Sequence, residues 1–172
     1  TNAVPVLVTV LEDLKQEAMV RHEAAEALGA IGSQNVKMVL EKYLKDPIKE
    51  VAETCELALS RIKHLENITI TETITSKSPY YSVDPTPPAL TTDVQELKYI
   101  LLNNDSSLFD RYRAMFSLRN LGNQEATLAL CDGLFCGSAL FRHEIAFVLG
   151  QLQKECSVPY LEKSLNDECE NE

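Results

Sequence analysis

Residues Val20 to Gly32, VRHEAAEALGAIG, carry a pattern that recurs three more times along this chain. Read as a helix, it places five apolar residues on one stripe, namely Val20, Ala24, Ala27, Leu28 and Ile31. At 100° per residue, His22 lies almost opposite the centre of this stripe and Glu23 lies on its flank. The stripe predicts the core face, and both polar side chains are expected to leave the core.

Three later stretches repeat this apolar spacing with different residues in the two polar positions. Residues 141–152, FRHEIAFVLGQL, keep the pair as His143 and Glu144. The copy that starts at Val51 has Glu53 and Thr54 there, and the copy around Ala114 has Tyr112 and Arg113. Because two copies lack the His-Glu pair, the helix does not require the pair for packing.

The copies follow a fixed period. Val20 and Val51 are 31 residues apart, and so are Arg111 and Arg142. A period of this size with two helices per unit is typical of an α-helical solenoid. Apolar periodicity predicts helices over 4–14, 20–32, 34–45, 48–64, 91–103, 108–121, 124–136, 141–154 and 158–166.

The pattern breaks at residues 65–90, where four prolines accompany serines and threonines. The sequence therefore predicts an all-α protein with an N-terminal helical half at 1–64, a Pro/Ser/Thr-rich linker at 65–90 and a C-terminal helical half at 91–172. Residues 157–167 also resemble residues 3–13, and the earlier copy runs on into His22 and Glu23. By this symmetry we expect a further His-Glu helix beyond Glu172 and another unit before Thr1, so that the chain is a fragment.

Composition narrows the class of protein. The chain has 172 residues, 45% of them hydrophobic and none of them Trp, which suits stacked helices of small aliphatic residues. Its net charge of −10 argues against nucleic acid as a partner and suits a cationic ligand. Apolar runs fall short of the roughly 20 residues that cross a bilayer, so no membrane is expected. Five cysteines without a C-x-x-C spacing indicate reduced thiols and a cytoplasmic location.

The His-Glu pairs are candidate metal ligands. Imidazole nitrogen and carboxylate oxygen together suit zinc, iron or manganese, and open sites rich in carboxylate suit iron that activates dioxygen. One pair supplies at most two ligands, so helices from both halves would have to converge in one cleft. The alternative is that each pair caps a helix start, where Glu favours the positive end of the dipole. His64, alone at a helix end, is assigned to structure.

Four stretches resemble the deoxyhypusine hydroxylase family: residues 19–32, 81–85, 111–116 and 136–144. This resemblance implies a HEAT-like solenoid of two pseudo-symmetric halves, with four His-Glu motifs around a di-iron centre. It also implies the activity, which is hydroxylation of the deoxyhypusine side chain of eukaryotic translation initiation factor five-A with dioxygen, completing hypusine synthesis.

Carried onto this sequence, the resemblance makes His22, Glu23 and His143 iron ligands. It places Glu144 in a motif whose glutamate binds either iron or the amines of the substrate, and the acidic Glu26 is a further candidate for those amines. No residue is assigned as a catalytic acid or base. Two of the four motifs are absent, so the fragment alone is expected to be inactive. Two alternatives remain, a non-catalytic HEAT-like scaffold that binds a protein and a bilin-lyase-like helical repeat.

Overall fold

Nine α-helices form the part of the chain that the computed structural model describes, residues 3–67 and 78–170. They are α1 Val4–Glu12, α2 Ala18–Ile31, α3 Lys37–Lys42, α4 Lys49–Asn67, α5 Val94–Leu102, α6 Leu108–Leu121, α7 Gln124–Gly133, α8 Ala139–Leu152 and α9 Val158–Leu165. Short 3-10 turns at Gln34–Val36 and Glu155–Ser157 precede α3 and α9. The described residues contain no strand, which confirms the predicted all-α class.

The chain divides into two compact units, and the described part of the first is residues 3–67 and 81–86. In this unit α2 packs against α1 and α4, and α3 also packs against α4. Apolar side chains from α1 to α4 form its core and are almost completely buried. Among them are Leu11, Ala25, Leu28, Leu40, Val51, Cys55 and Ile62. The stripe predicted for α4 is therefore confirmed.

The stripe predicted for α2 is partly wrong. Ala24 and Leu28 are buried, but Val20 is 43% and Ile31 38% exposed. Arg21 and His22 are buried in their place, at 3% and 4% exposure. Polar side chains are buried at low cost when another element supplies their hydrogen-bond partners, and both residues have such partners on other elements. The expectation that His22 leaves the core is therefore also wrong.

Arg21 connects three elements of the first unit. Its Nε donates to the carbonyl oxygen of Leu11, ten residues upstream, at 3.0 Å. Its two terminal nitrogens donate to the carboxylate of Asp46, twenty-five residues downstream. The Arg21 and Asp46 side chains are only 4% and 1% exposed. The guanidinium thus provides a hydrogen bond to a carbonyl oxygen at the end of α1. It also forms a buried ion pair just before the start of α4.

The second unit comprises residues 78–80 and 87–170 in its described part, and it holds α5 to α9. Asp93, Ser107, Asn123 and Ser138 cap helices α5 to α8 with side-chain oxygens that accept backbone N–H groups. The apolar stripe predicted for α8 is confirmed. All five of its members are at most 9% exposed, namely Phe141, Ile145, Val148, Leu149 and Leu152.

Arg111 repeats the arrangement of Arg21 in the second unit. Its Nε donates to the carbonyl oxygen of Leu101, again ten residues upstream, at 2.9 Å. Its Nη2 lies 3.4 Å from Sγ of Cys136, again twenty-five residues downstream. The guanidinium also lies over the ring of Phe141, 4.1 Å from its centroid. A thiol therefore takes the place that the carboxylate has in the first unit, and the ring of Phe141 adds a cation–π contact.

The described residues of the predicted linker contain a helical part and an irregular part. Helix α4 continues to Asn67, whereas residues 78–90 form neither helix nor strand. Residues 68–77 of the predicted linker lie outside the described residues. Arg61 on α4 donates through Nη1 to the carbonyl oxygen of Asp84 at 2.8 Å, which connects the irregular segment to the first unit. In the described ranges every helix is too short or too polar to span a membrane.

Gly29 allows α2 to approach α4 closely. A Cβ atom at this position would lie 2.7 Å from Cβ and 2.9 Å from Cα of Ala58. Real Cβ atoms do not tolerate such distances, and one of the obstructing atoms is backbone, so the two helices would have to separate. Gly150 on α8 has open space around its Cα instead.

We expect these two glycines to respond oppositely to alanine. Gly29→Ala should lower the free energy of unfolding by about 1–3 kcal/mol through overpacking. Gly150→Ala should raise it by about 0.5–1 kcal/mol, because alanine restricts the unfolded chain and favours helix. Urea unfolding followed by circular dichroism measures both changes. Equal stability of the two variants would contradict the close contact at Gly29.

Candidate functional site

The side chain of His22, on α2, faces α4, and one of its two ring nitrogens has a hydrogen-bond partner there. Its Nδ1 is 2.7 Å from Oγ1 of Thr54 on α4. The Thr54 hydroxyl donates to the carbonyl oxygen of Glu50, one turn earlier in α4, also at 2.7 Å. Thr54 is only 2% exposed. Thr54 occupies one of the two polar positions of the repeat, but its contact with His22 cannot be predicted from the sequence.

The second ring nitrogen of His22 faces the carboxylate that follows it in sequence. Nε2 lies 3.7 Å from Oε1 of Glu23, whose side chain is 66% exposed. This distance is too long for a hydrogen bond. An imidazole nitrogen and a carboxylate oxygen are both ordinary ligands of zinc and iron. The donor types therefore fit the metal pair that the sequence predicted, with a buried imidazole and an accessible carboxylate.

Glu26 adds a second carboxyl group to the same helix, one turn after Glu23. Burial, together with the nearby charges of Glu23 and Asp84, raises its pKa to about 7, while Arg61 opposes the shift. Burial likewise lowers the pKa of Arg61, against the influence of Asp84 and Glu26. Its Nε is buried without a hydrogen-bond partner. One partly desolvated guanidinium thus faces several carboxylates.

The raised pKa of Glu26 has a defined consequence for stability. Because the folded-state pKa exceeds the usual 4.5, the folded chain binds more protons than the unfolded chain between about pH 4.5 and 7. Stability therefore falls as the pH rises through this range. Glu26→Gln should raise the free energy of unfolding of the metal-free chain by about 1–3 kcal/mol at pH 8, and change it little near pH 4.

Urea unfolding at the two pH values measures this effect, with the exposed Glu41→Gln as the matched control. The control should change stability by less than about 0.5 kcal/mol at either pH. A Glu26→Gln variant that is less stable at pH 8 would show that a favourable partner holds the carboxylate.

Carboxyl groups also accompany the copy of the pattern on α4. The Glu53 side chain is only 17% exposed, with Lys49 Nζ 3.6 Å from its Oε1. Its Oε2 is buried without a hydrogen-bond partner. Burial, followed by the charge of Glu53, raises the pKa of Glu56. The first unit therefore concentrates partly buried negative charge around α2 and α4, as a cationic ligand requires.

His143 and Glu144 occupy the first turns of α8 in the second unit. His143 is exposed and Glu144 half-buried, so this pair leaves the core as predicted. Arg142, just before the pair, donates to Glu170 through two nitrogens and to the carbonyl oxygen of Gly137. These bonds fix the start of α8 and hence the backbone that carries the pair.

The copy at Tyr112 and Arg113 has a structural role. Tyr112 is 1% exposed, so the expectation that this position leaves the core is wrong here. Its ring packs edge-on against Phe141, with centroids 5.7 Å apart, because an aromatic ring gains most when it is buried. Arg113 Nη2 donates to the carbonyl oxygen of Pro88 at 3.3 Å. Packing and a backbone hydrogen bond therefore account for both side chains.

The structure brings His22 and Glu23 together in the first unit, and His143 and Glu144 lie in the second. Within residues 3–67 and 78–170, no three His, Cys, Asp or Glu side chains cluster as a metal site. Convergence of the two pairs remains a prediction. His64 is half-buried in the last turn of α4, where its position suits the negative end of the helix dipole.

Comparison with known families identifies the repeats. Residues 1–70 match the HEAT repeat family, and residues 110–136 and 141–167 match the PBS lyase HEAT-like repeat. The chain is thus similar to HEAT-type helical repeats in both units. The match at 141–167 includes the His143-Glu144 pair, and the match at 1–70 includes His22-Glu23.

Comparison with curated proteins is more specific. The chain is 56% identical over 172 residues to a protein of Drosophila melanogaster, 57% over 171 residues to one of Danio rerio and 55% over 164 residues to one of Homo sapiens, each named deoxyhypusine hydroxylase. These matches cover 99%, 99% and 95% of this chain and 56%, 56% and 53% of the relatives. The chain therefore spans about half the length of the relatives that it matches.

A solved structure agrees with the sequence comparison. The structure of human deoxyhypusine hydroxylase in complex with glycerol matches with a TM-score of 0.91 and 53% identity. The match covers 99% of this chain and 58% of the human chain.

Proposed function

Because this chain belongs to the deoxyhypusine hydroxylase family, we propose that it contributes to an iron- and dioxygen-dependent monooxygenase. The proposed reaction is hydroxylation of the deoxyhypusine side chain of translation initiation factor five-A, which completes hypusine synthesis. The single observation that carries the proposal is the pair of His22 and Glu23, in a chain 56% identical to an enzyme of that name over 99% of its length. The named relatives are enzymes, so no observation favours a non-catalytic scaffold.

The proposed metal is a di-iron centre. Iron supplies the activation of dioxygen that no amino-acid side chain provides. In this chain His22 would bind through Nε2 and Glu23 through its carboxylate, with His143 as a ligand from the second unit. The burial of His22 holds its ring in place, while the exposed Glu23 carboxylate can rotate toward a metal ion. The free cysteines support the cytoplasm as the location.

The proposed substrate carries positively charged amines. Burial and neighbouring acids raise the pKa of Glu26 to about 7, so a nearby ammonium group would favour its ionised form. Glu144 is the second candidate for these amines, since it is half-buried beside the exposed His143. An ionised carboxylate only accepts hydrogen bonds, so it can bind an ammonium group through charge-assisted hydrogen bonds.

A chimeric enzyme tests this function. This chain would replace the segment that it matches in the human relative, and the chimera would be supplied with Fe(II), dioxygen, a reductant and a deoxyhypusine-containing substrate protein. We expect mass spectrometry to show the gain of one oxygen atom on the deoxyhypusine side chain. The human enzyme without the exchange is the positive control. A folded chimera that retains iron but never hydroxylates the substrate would contradict the proposal.

Glu144→Gln distinguishes the two roles that the resemblance allows for this residue. If Glu144 binds the substrate amines, the chimera should bind substrate about 10–100-fold more weakly, the cost of one hydrogen bond between charged groups. Its iron content should remain unchanged. Substrate titration and elemental analysis measure the two properties, with the exposed helical Glu162→Gln as control. Loss of iron instead would assign Glu144 as a ligand.

A further inference from the structure

We propose that Thr54 is a positioning residue that fixes the tautomer of His22, so that Nε2 carries the lone pair. The proposal extends the proposed function, because it names the ring atom that would bind iron and the side chain that selects it. Thr54 does not contact the metal or the substrate in this proposal. It acts only through His22.

The Thr54 hydroxyl can donate only one hydrogen bond. A hydroxyl group has one proton to donate and two lone pairs. Thr54 donates its proton to the carbonyl oxygen of Glu50 at 2.7 Å. Its oxygen can therefore only accept a hydrogen bond from His22, whose Nδ1 is 2.7 Å away. Both hydrogen bonds of Thr54 form at once only when Nδ1 carries a proton.

Burial keeps both partners of this contact away from solvent. His22 and Thr54 are 4% and 2% exposed, so bulk water offers neither group an easy replacement partner. The opposite tautomer would place the Nδ1 lone pair against the Thr54 oxygen lone pairs, unless the Thr54 hydroxyl released Glu50. The proton on Nδ1 therefore keeps both hydrogen bonds of Thr54, whereas the opposite tautomer keeps only one of them.

The tautomer also determines the state of Nε2, the second ring nitrogen of His22. A neutral imidazole with a proton on Nδ1 has none on Nε2, and Nε2 is the atom 3.7 Å from the Glu23 carboxylate. The lone pair therefore lies beside the second predicted ligand. Metal-binding histidines commonly donate the opposite N–H to an oxygen atom, which fixes the ring and its tautomer. Here the oxygen acceptor is a hydroxyl on the neighbouring helix.

The close approach of α2 to α4 also favours the contact between His22 and Thr54. Gly29 lies two turns after His22 on α2 and contacts Ala58, one turn after Thr54 on α4. Because no side chain separates the helices there, they remain close enough for His22 to reach Thr54. The contact is therefore built into the packing of α2 on α4.

Nitrogen-15 spectra of the intact chain test the proposal without metal or substrate. Two-bond hydrogen–nitrogen correlations identify the protonated ring nitrogen, and a His22→Gln variant assigns the His22 signals. The spectra are recorded about two pH units above the ordinary imidazole pKa of about 6.5, where free imidazole is neutral. We expect a proton on Nδ1 in the wild type and in Thr54→Ser, which keeps the hydroxyl. Thr54→Val should shift the population toward the Nε2 proton.

Thr127→Val is the matched control. Thr127 is also fully buried in a helix and donates to the carbonyl oxygen one turn earlier, that of Asn123, at 2.9 Å. It has no histidine partner in the proposal, so its removal should leave the His22 tautomer unchanged. A wild-type chain with its proton on Nε2 would overturn the assignment, and so would a Thr54→Val chain with the wild-type tautomer. If Thr54→Val does not fold, the wild-type and Thr54→Ser spectra still decide.

Anaerobic titration with Fe(II) alone gives the second measurement. Loss of such an orienting partner commonly weakens metal binding about 10–100-fold, which is the effect expected for Thr54→Val. Thr54→Ser and Thr127→Val should bind Fe(II) within about threefold of the wild type. Unchanged Fe(II) affinity in Thr54→Val would overturn the positioning role. A wild-type chain with the expected tautomer that takes up no Fe(II) would count against the proposed function and leave the tautomer assignment standing.

Discussion

Asp46→Asn is expected to lower the free energy of unfolding by about 3–5 kcal/mol, the usual cost of removing one partner of a buried ion pair. The Asp46 and Arg21 side chains are 1% and 4% exposed, so water cannot replace the interactions that the guanidinium would lose. Arg21 Nε would keep its bond to Leu11, but two terminal nitrogens would face a neutral amide. Such a loss is a large part of the 5–15 kcal/mol that stabilises a typical domain.

Urea unfolding at pH 7 measures this loss, with Asp132→Asn as the matched control. Asp132 pairs with Lys98, but these side chains are 42% and 38% exposed, so the control should lose at most about 1 kcal/mol. Equal losses in the two variants would contradict the importance of burial.

The pH dependence of this ion pair has a definite sign. Burial opposes ionisation of Asp46, but hydrogen bonds from Arg21 and from the backbone N–H of Ile48 outweigh it and lower the pKa. The pair therefore stabilises the chain above the unfolded-state value of about 4 and loses this contribution as the pH falls further. The Asp46→Asn variant should lack this acid-dependent loss.

His22→Ala and His143→Ala are expected to reduce the iron affinity of the chimeric enzyme by about 100-fold or more each, and hydroxylation with it. Even the loss of a residue that only orients a metal ligand costs about 10–100-fold, so loss of a ligand should cost more. His22→Ala should also destabilise the chain, because it removes a buried side chain and leaves Thr54 without its partner. His143 is exposed, so its variant should fold normally.

Elemental analysis and the hydroxylation assay measure these effects, with His64→Ala as the control. His64 lies at the end of α4, away from both predicted pairs in sequence, and its variant should retain iron within about twofold of the parent. Full iron retention by a folded His143→Ala chimera would remove His143 from the ligand set. Full iron retention by a folded His22→Ala chimera would contradict the proposed metal site in the first unit.

The helical class and the core of α8 could be predicted from the sequence because each follows from apolar spacing alone. All five members of the α8 stripe are apolar and all are buried. The face of α2 could not be predicted in this way. Its buried side includes Arg21 and His22, whose partners Asp46 and Thr54 are distant in sequence. Spacing within one helix carries no information on partners supplied by another.

The residues of the candidate site likewise differ in whether the sequence alone identifies them. Adjacent residues with compatible donor atoms, His22 and Glu23, can be recognised in the sequence and lie close together in the structure. Thr54 could not be recognised, because its role depends on where α4 crosses α2. Tyr112 was misplaced for a related reason: the position that holds His143 on α8 holds a buried ring on α6.

Arginines 21 and 111 reach back ten residues to a carbonyl oxygen and forward twenty-five residues to a second partner. Two such matching spacings point to duplication of one ancestral segment. Descent from that ancestor preserved the framework on which each helix rests, while the second partner came to differ, a carboxylate in one unit and a thiol in the other. Evolution could then alter the side chains of one copy without rebuilding the architecture that carries them.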